Sequence, residues 1–207
     1  MKKVILTLAL VAAAATSAFA QFGVGAGYAN NAQKLNDNDP SSSNGFYVEG
    51  TYAIPVSGIF SIVPGVRYTY LGKSDKAATN IAGIDIKGSS TVVEHYLAVP
   101  VMAQCGIDLG AAKILVFAGP TFNVGLASQT KVEASVGGIS ADKPIDNYGE
   151  DSIYGRTNVF LGGGLGIELG SFQIKAACDA GLLNRYDSEN IKYRDAYQIR
   201  IGAAYLF

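Results

Sequence analysis

The sequence has no long apolar run, no tryptophan and a single histidine among its 207 residues. The apolar stretch at residues 4–15 is shorter than the roughly 17–25 residues that a membrane-spanning helix needs. A chain that crosses a membrane without such a helix must form a closed β-barrel, because hydrocarbon cannot satisfy the backbone groups of an open sheet edge. Without tryptophan, any aromatic belt must come from the 12 Tyr and 9 Phe residues.

Histidine and cysteine are too scarce for most kinds of catalytic or metal site. Enzymes built on membrane barrels often rely on a histidine beside Ser, Asp or Glu, but His95 has Val93 and Leu97 as its same-face neighbours. We therefore interpret His95 as an interfacial side chain and predict no catalytic residue, no cofactor and no metal. Cys105 and Cys178 fall on strands that are not neighbours, so we predict no disulfide.

The N-terminus has the order of a secretory signal peptide. Lys2 and Lys3 precede the apolar stretch, and an A-x-A site ends at Ala20. We predict cleavage after Ala20, which leaves residues 21–207 as one domain. Cleavage removes two of 16 basic residues and none of 17 acidic ones. The remaining 14 basic and 17 acidic residues give a net charge of −3. This excludes the basic charge that a nucleic-acid-binding domain usually carries.

The last eleven residues, 197–207, alternate between apolar or aromatic odd positions and polar or small even positions, with Leu206 as the exception. A period of two over about 9–11 residues suits a tilted strand that crosses a bilayer. Similar alternation predicts eight strands in all: residues 22–29, 45–54, 59–70, 91–104, 113–126, 158–169, 172–183 and 197–207. Short and long connections alternate between them, which predicts an all-β, antiparallel up-and-down transmembrane barrel. Pro100 interrupts the fourth strand and is predicted to mark a β-bulge.

The direction of the alternation distinguishes a membrane barrel from a soluble, lipocalin-like one, whose apolar face would point inward. Here one face collects aliphatic residues with aromatics at the strand ends, and the other collects glycine and charged residues. The apolar face must then meet lipid. Five inward charges are predicted to form an ion-pair network across the lumen: Glu49, Arg67, Lys175, Asp179 and Arg200. We interpret the network as a structural plug; the alternative is a gated ion path or a ligand pocket.

Phe207, preceded by Tyr205 and alternating apolar residues, resembles the C-terminal signal that the barrel assembly machinery reads in bacterial outer-membrane proteins. Four further segments resemble the outer membrane protein beta-barrel domain family: residues 64–68, 96–101, 118–120 and 162–166. That family consists of small porin-like proteins, common in Bacteroidetes-type bacteria, with shapes related to the OmpA membrane domain and OmpX. One departure is Ala98, where the family often carries Glu, so an interior charge is missing there.

The resemblance implies a cell outer-membrane location in a Gram-negative-type bacterium, in contact with outer-membrane lipid. The alternating connections place both termini on the periplasmic side. We expect a monomer with a structural or surface-interaction role, and place any external ligand at loops 71–90 and 127–157, because loops on a rigid scaffold usually carry binding. The alternative is a narrow porin for ions or small solutes. A measurement of bilayer conductance would distinguish a porin from a surface-interaction protein. An enzyme acting on envelope lipid is less favoured because no catalytic pair is found.

Overall fold

The computed structural model describes residues 21–36, 38–81, 84–136, 139–149, 155–185 and 193–207. These contain the strands β1 (Gln21–Leu35), β2 (Ser41–Ser57), β3 (Phe60–Ile81), β4 (Ile84–Asp108), β5 (Lys113–Val136), β6 (Ile139–Asp146), β7 (Thr157–Leu169), β8 (Phe172–Gly181) and β9 (Tyr193–Leu206). The signal peptide predicted at residues 1–20 lies outside the described residues.

Eight of these strands close into a ring in the order β1-β2-β3-β4-β5-β7-β8-β9. Each neighbouring pair is antiparallel, and the ring closes where Gly23 of β1 faces Leu206 of β9. Among the described residues, β6 pairs with β5 alone, so it stands outside the ring. The predicted fold class, an eight-stranded antiparallel up-and-down barrel, is confirmed.

The barrel has polar groups inside and apolar groups outside. Glu49, Arg67 and Asp179 are buried in the interior, whereas Leu165 and Phe172 are each more than 60 % exposed on the outer wall. A soluble barrel would bury its apolar face instead, so the lipocalin-like alternative is wrong. The outer wall is suited to hydrocarbon because each strand satisfies its backbone groups within the ring.

Aromatic side chains on the outer wall lie at two levels. At the end that holds Gln21 and Phe207, which we call the turn end, the Phe207 ring lies 5.0 Å from Tyr205 and 6.0 Å from Phe22. At the opposite end, which we call the hairpin end, Phe46 stacks on Tyr70 at 5.3 Å. Such paired belts are typical of the two interfaces of a membrane barrel.

Four strands continue beyond the barrel at the hairpin end. β3 pairs with β4 as far as Ile81 opposite Ile84, and β5 pairs with β6 as far as Val136 opposite Ile139. The prediction that residues 71–90 and 127–157 form irregular loops is therefore wrong for most of their length. Both segments are polar, because a sheet above the membrane is solvated and needs no apolar face, and so they lack the alternation that reveals a strand.

The predicted bulge at Pro100 is also wrong. β4 keeps the same register with β5 on both sides of it, with Val99 opposite Phe122 and Ala103 opposite Ala118. The ladder with β3 instead has no assigned pair for Gly65, which lies opposite Pro100 in that register. A proline has no N–H to donate, and here one local break in the ladder accommodates it.

The connections at the turn end are tight. Gly58, Gly110 and Gly170 occupy them with positive φ angles of 53°, 88° and 58°, which favour glycine because it has no Cβ. Cys105 and Cys178, on β4 and β8, are both free.

Candidate functional site

The middle of the barrel holds a group of three charged side chains from three strands. Glu49 of β2 and Arg67 of β3 face each other in register, and Arg67 Nε donates to Glu49 Oε2 at 3.0 Å. Lys175 of β8 reaches Glu49 Oε1 from across the lumen, also at 3.0 Å. Because the two bonds use different carboxylate oxygens, one glutamate bridges two cations that enter from opposite walls.

A second pair lies beside this group. Arg200 of β9 donates to Asp179 of β8 and, at 3.0 Å, to Gln198 Oε1. A cavity of about 40 Å³ reaches Glu49, Arg67, Lys175 and Arg200, so both groups face one interior space. That volume has room for a few water molecules at most, since one water needs about 10–15 Å³ by this measure. The structure thus brings the five predicted charges together as two adjoining groups, which we call the middle network.

Near the turn end, a third polar group spans β5, β7 and β8. Lys113 Nζ contacts Glu168 Oε1 at 3.0 Å, and Gln173 Nε2 donates to Glu168 Oε2 at 2.8 Å. Glu168 and Gln173 are buried. The lumen therefore contains hydrogen-bonded polar side chains at this level as well.

At the hairpin end, Arg185 closes the lumen from above. It follows β8 in the chain and is 2 % exposed. Its Nη1 donates to the Tyr96 hydroxyl at 2.9 Å and lies 3.4 Å from Asp195 Oδ2, while its Nη2 donates to the Tyr148 hydroxyl at 2.9 Å. Glu94 Oε1 accepts from Tyr96 at 2.6 Å and lies 4.0 Å from the guanidinium. We call these five residues the mouth cluster.

The mouth cluster is anchored on several sides. Asn31 of β1 and Asn158 of β7 donate to the two carboxylate oxygens of Asp195, at 2.8 and 2.6 Å. Arg156 holds Tyr148 from outside, with Nη2 donating to its carbonyl oxygen at 2.8 Å and the guanidinium 5.0 Å from its ring. Residues from β1, β4, β7, β9 and two connections therefore meet over the lumen.

Arg185 and Tyr148 lie in connections outside the membrane-spanning strands, and their surroundings fix their charge states. Burial raises the pKa of the Tyr148 hydroxyl above its usual range. Burial alone would lower the pKa of Arg185, but the Tyr96 hydroxyl and the Asp195 and Glu94 carboxylates raise it well above its usual range. Arg185 is thus a permanent cation that donates to neutral tyrosine hydroxyls.

The mouth cluster could not be recognised in the sequence. Strict alternation along the last strand would point Asp195 outward, like Tyr197. In the structure the register between β1 and β9 shifts so that Tyr197 faces Ala32 while Asp195 faces Gln33. This bulge at Ala196 turns Asp195 inward. No signal in the sequence marks the bulge.

The sequence profile of the outer membrane protein beta-barrel domain family matches residues 4–207. The chain belongs to this family. The resemblance drawn from the sequence segments is thereby confirmed, and the protein is an integral protein of the outer membrane. No curated protein matches the chain.

Several solved outer-membrane proteins align with this family member at low identity. Ail, the attachment invasion locus protein of Yersinia pestis, aligns with a TM-score of 0.46 and 16 % identity, over 91 % of this chain and 99 % of Ail. Neisserial surface protein A aligns with a TM-score of 0.46 and 14 % identity, over 89 % of this chain and 95 % of that protein. A major outer membrane protein of Thermus thermophilus aligns with a TM-score of 0.40 and 12 % identity, over 91 % and 99 %.

Within the part of the chain that the structure describes, no helix has the length and apolar character needed to cross a membrane. The same residues contain no group of three His, Cys, Asp or Glu side chains placed to hold a metal ion. His95 lies on the outer wall beside two aromatic residues, with its Nδ1 2.6 Å from the Tyr68 hydroxyl and its ring 5.4 Å from Tyr70.

Proposed function

We propose that this outer-membrane barrel presents a binding sheet at the cell surface and has no enzymatic activity. The turn end and both termini face the periplasm, because outer-membrane barrels place short turns there and long connections outside. Tyr205 and Phe207 serve as the signal for the barrel assembly machinery, and the barrel is a monomer in membrane lipid. The role in binding is supported by one observation, the four-stranded sheet of β3 to β6 that continues beyond the barrel.

The sheet has two edges without a partner strand among the described residues. β3 pairs with β2 only as far as Gly72, so residues 73–81 pair with β4 alone. Nine residues at about 3.3 Å each give an open edge of about 30 Å. β6 forms the other edge, but it contains Pro144, which lacks a backbone donor. The β3 edge is therefore the better surface for a further strand.

The partner that fits this edge is an extended segment of another protein, added as a fifth strand through backbone hydrogen bonds. Lys73, Asp75 and Lys76 lie along the edge, and charged residues on an edge discourage two copies from pairing indiscriminately. Their mixed signs still allow a partner segment with complementary charges to bind. The edge thus favours a selective partner over self-association.

The porin alternative has less support. The lumen contains the Glu168 group near the turn end, the middle network in its centre and the mouth cluster at the hairpin end. Eight-stranded barrels have an interior just wide enough for side chains to fill. Polar side chains that are bound to one another at three levels favour a plug over an open path.

A phage-displayed peptide library selected on the refolded full-length chain tests the proposal. One variant replaces residues 76–89 with Asn-Gly, a two-residue hairpin turn, and so shortens the β3 edge. A matched variant replaces residues 134–141 with Asn-Gly and shortens the β5–β6 tip instead. We expect selected peptides to lose binding to the first variant, to keep it for the second, and to fail when their backbone amides are N-methylated. Heat-dependent gel mobility verifies that each barrel is closed. Peptides that bind all three proteins equally, or no enrichment at all, would contradict the proposal.

A further inference from the structure

A cavity of about 370 Å³ opens at the hairpin end of the barrel, above the mouth cluster. We call it the cup. Its walls come from the facing ends of β1 and β2, from β3, β4 and β5, and from the turn after β6. Side chains that carry the argument are Gln33, Asp39, Lys73, Glu94, Thr130 and Asn147. The volume is within the range of about 300–1,000 Å³ that is common for small-molecule sites.

The cup is closed at its base. Gln33 of β1 donates Nε2 to Glu94 Oε2 of β4 at 3.0 Å, although two other strands separate β1 from β4 in the ring. Glu94 is also held by the Tyr96 hydroxyl and lies beside Arg185. A solute that enters the cup therefore meets a hydrogen-bonded floor. This geometry suits binding rather than passage into the barrel.

The lining disfavours apolar and anionic ligands. Leu35 and Val92 are its two apolar residues, so an apolar ligand would exclude water from the polar and charged side chains around them. Two carboxylates, Asp39 and Glu94, stand against one cation, Lys73, which already contacts Asp75 at 2.5 Å. A phosphate or sulfate group would meet a lining with excess negative charge. The ligand that fits is hydrophilic and carries no negative charge.

The lining offers both donors and acceptors. Asn147 Nδ2 donates to Ser128 Oγ and to Thr130 Oγ1, each at 2.9 Å. The Thr130 hydroxyl in turn donates to Asn147 Oδ1 at 3.2 Å, whereas the Ser128 hydroxyl accepts from Asn147 and keeps its own hydrogen for donation. A metal cation would use only the acceptors of the lining. Each hydroxyl of a sugar both donates and accepts, and can therefore use donors and acceptors alike. Ser128 is turned inward by a second bulge, where the register between β4 and β5 shifts at His95 and Tyr96.

We propose that the cup is a binding site for a neutral, polyhydroxylated ligand of the sugar class. The hydroxyl groups of Ser128 and Thr130 on β5 bind one side of the ring, and the carboxylates accept hydrogen bonds from its hydroxyls. This site differs from the β3 edge proposed above, although Lys73 belongs to both. The cup lies between the ends of β1 and β2 and the strands β3, β4 and β5, whereas the edge is the backbone of residues 73–81.

Saturation-transfer NMR on the full chain, refolded in a zwitterionic detergent without sugar groups, tests the proposal. The probes are glucose, galactose, mannose and maltose at about 10 mM, a tenfold excess over a Kd of about 1 mM. Glucose 6-phosphate and calcium chloride are the comparison probes. We expect at least one neutral sugar to give a signal that glucose 6-phosphate gives weakly or not at all and that calcium does not displace.

Two substitutions locate the signal. Thr130→Val removes a lining hydroxyl and should weaken binding about fivefold or more. Ser74→Ala removes a hydroxyl whose partner, Thr91 Oγ1 at 3.2 Å, lies outside the cup, and should leave the signal unchanged. Heat-dependent gel mobility establishes that both variants are folded. Equal signals from Thr130→Val and the parent chain, tighter binding of the phosphorylated sugar, displacement by calcium, or silence from all four neutral sugars would overturn the proposal.

Discussion

Replacing Arg67 with methionine should destabilise the barrel by about 3 kcal/mol, because removal of one partner from a buried ion pair costs about 3–5 kcal/mol. Arg67 is 5 % exposed, donates to Glu49 at 3.0 Å, and lies with its guanidinium 5.6 Å from the Tyr47 ring. Methionine retains much of the apolar stem but has no charge, so Arg67→Met leaves Glu49 with one of its two cations.

The structure places the expected value at the lower end of that range. Lys175, which contacts Glu49 at 3.0 Å, remains in place after the substitution. The adjoining cavity of about 40 Å³ can admit water to the Glu49 oxygen that has lost Arg67. A loss of about 3 kcal/mol is roughly a hundredfold in the folding equilibrium constant.

Urea unfolding of the protein in lipid vesicles measures this loss, with tyrosine fluorescence and gel mobility as signals. Lys73→Met is the matched control: it breaks an ion pair of 2.5 Å whose side chains are 31 % and 65 % exposed, which should cost about 0–1 kcal/mol. The reasoning is refuted if Arg67→Met is no less stable than Lys73→Met. If Arg67→Met keeps its stability and its bilayer conductance rises, the middle network is a gate and not a plug.

Two further substitutions test packing and assembly. Gly162→Ala would drive a Cβ into the Cys178 carbonyl oxygen, whereas Gly50→Ala would meet nothing closer than 3.8 Å. We expect a loss of about 1–3 kcal/mol or more for the first and about 0.5 kcal/mol or less for the second; equal urea midpoints would show that the interior tolerates the extra carbon. Phe207→Ala should reduce the heat-shifted band in the outer-membrane fraction, and Phe207→Tyr should retain it, because tyrosine keeps an aromatic ring. Equal bands for Phe207→Ala and the parent chain would show that Phe207 is not part of the insertion signal.

The barrel could be predicted from the sequence because lipid outside and charge inside impose a period of two on every spanning strand. The alternation around Glu49, Arg67 and Arg200 placed these side chains in the interior. There the register of β2 and β3 brings Glu49 to Arg67, and Arg200 contacts Asp179. The same alternation predicted the apolar outer wall, and therefore a membrane barrel instead of a soluble one.

The mouth cluster and the cup could not be predicted because both depend on departures from that period. A bulge at Ala196 turns Asp195 inward, and the shift beside His95 turns Ser128 inward. Each bulge adds one residue to one strand, which reverses the inward and outward positions beyond it. Arg185 reaches the lumen from a connection, where no periodicity applies.

The pairing of β1 with β9 has a consequence for the order of synthesis. The strand that begins the ring, with Gly23, closes it only against the strand that ends with Leu206. A nascent chain that stops before β9 retains two open edges, which hydrocarbon cannot satisfy. Translation products that lack β9 are thus barred from the bilayer by topology alone, because the ring can close only after β9 has been made.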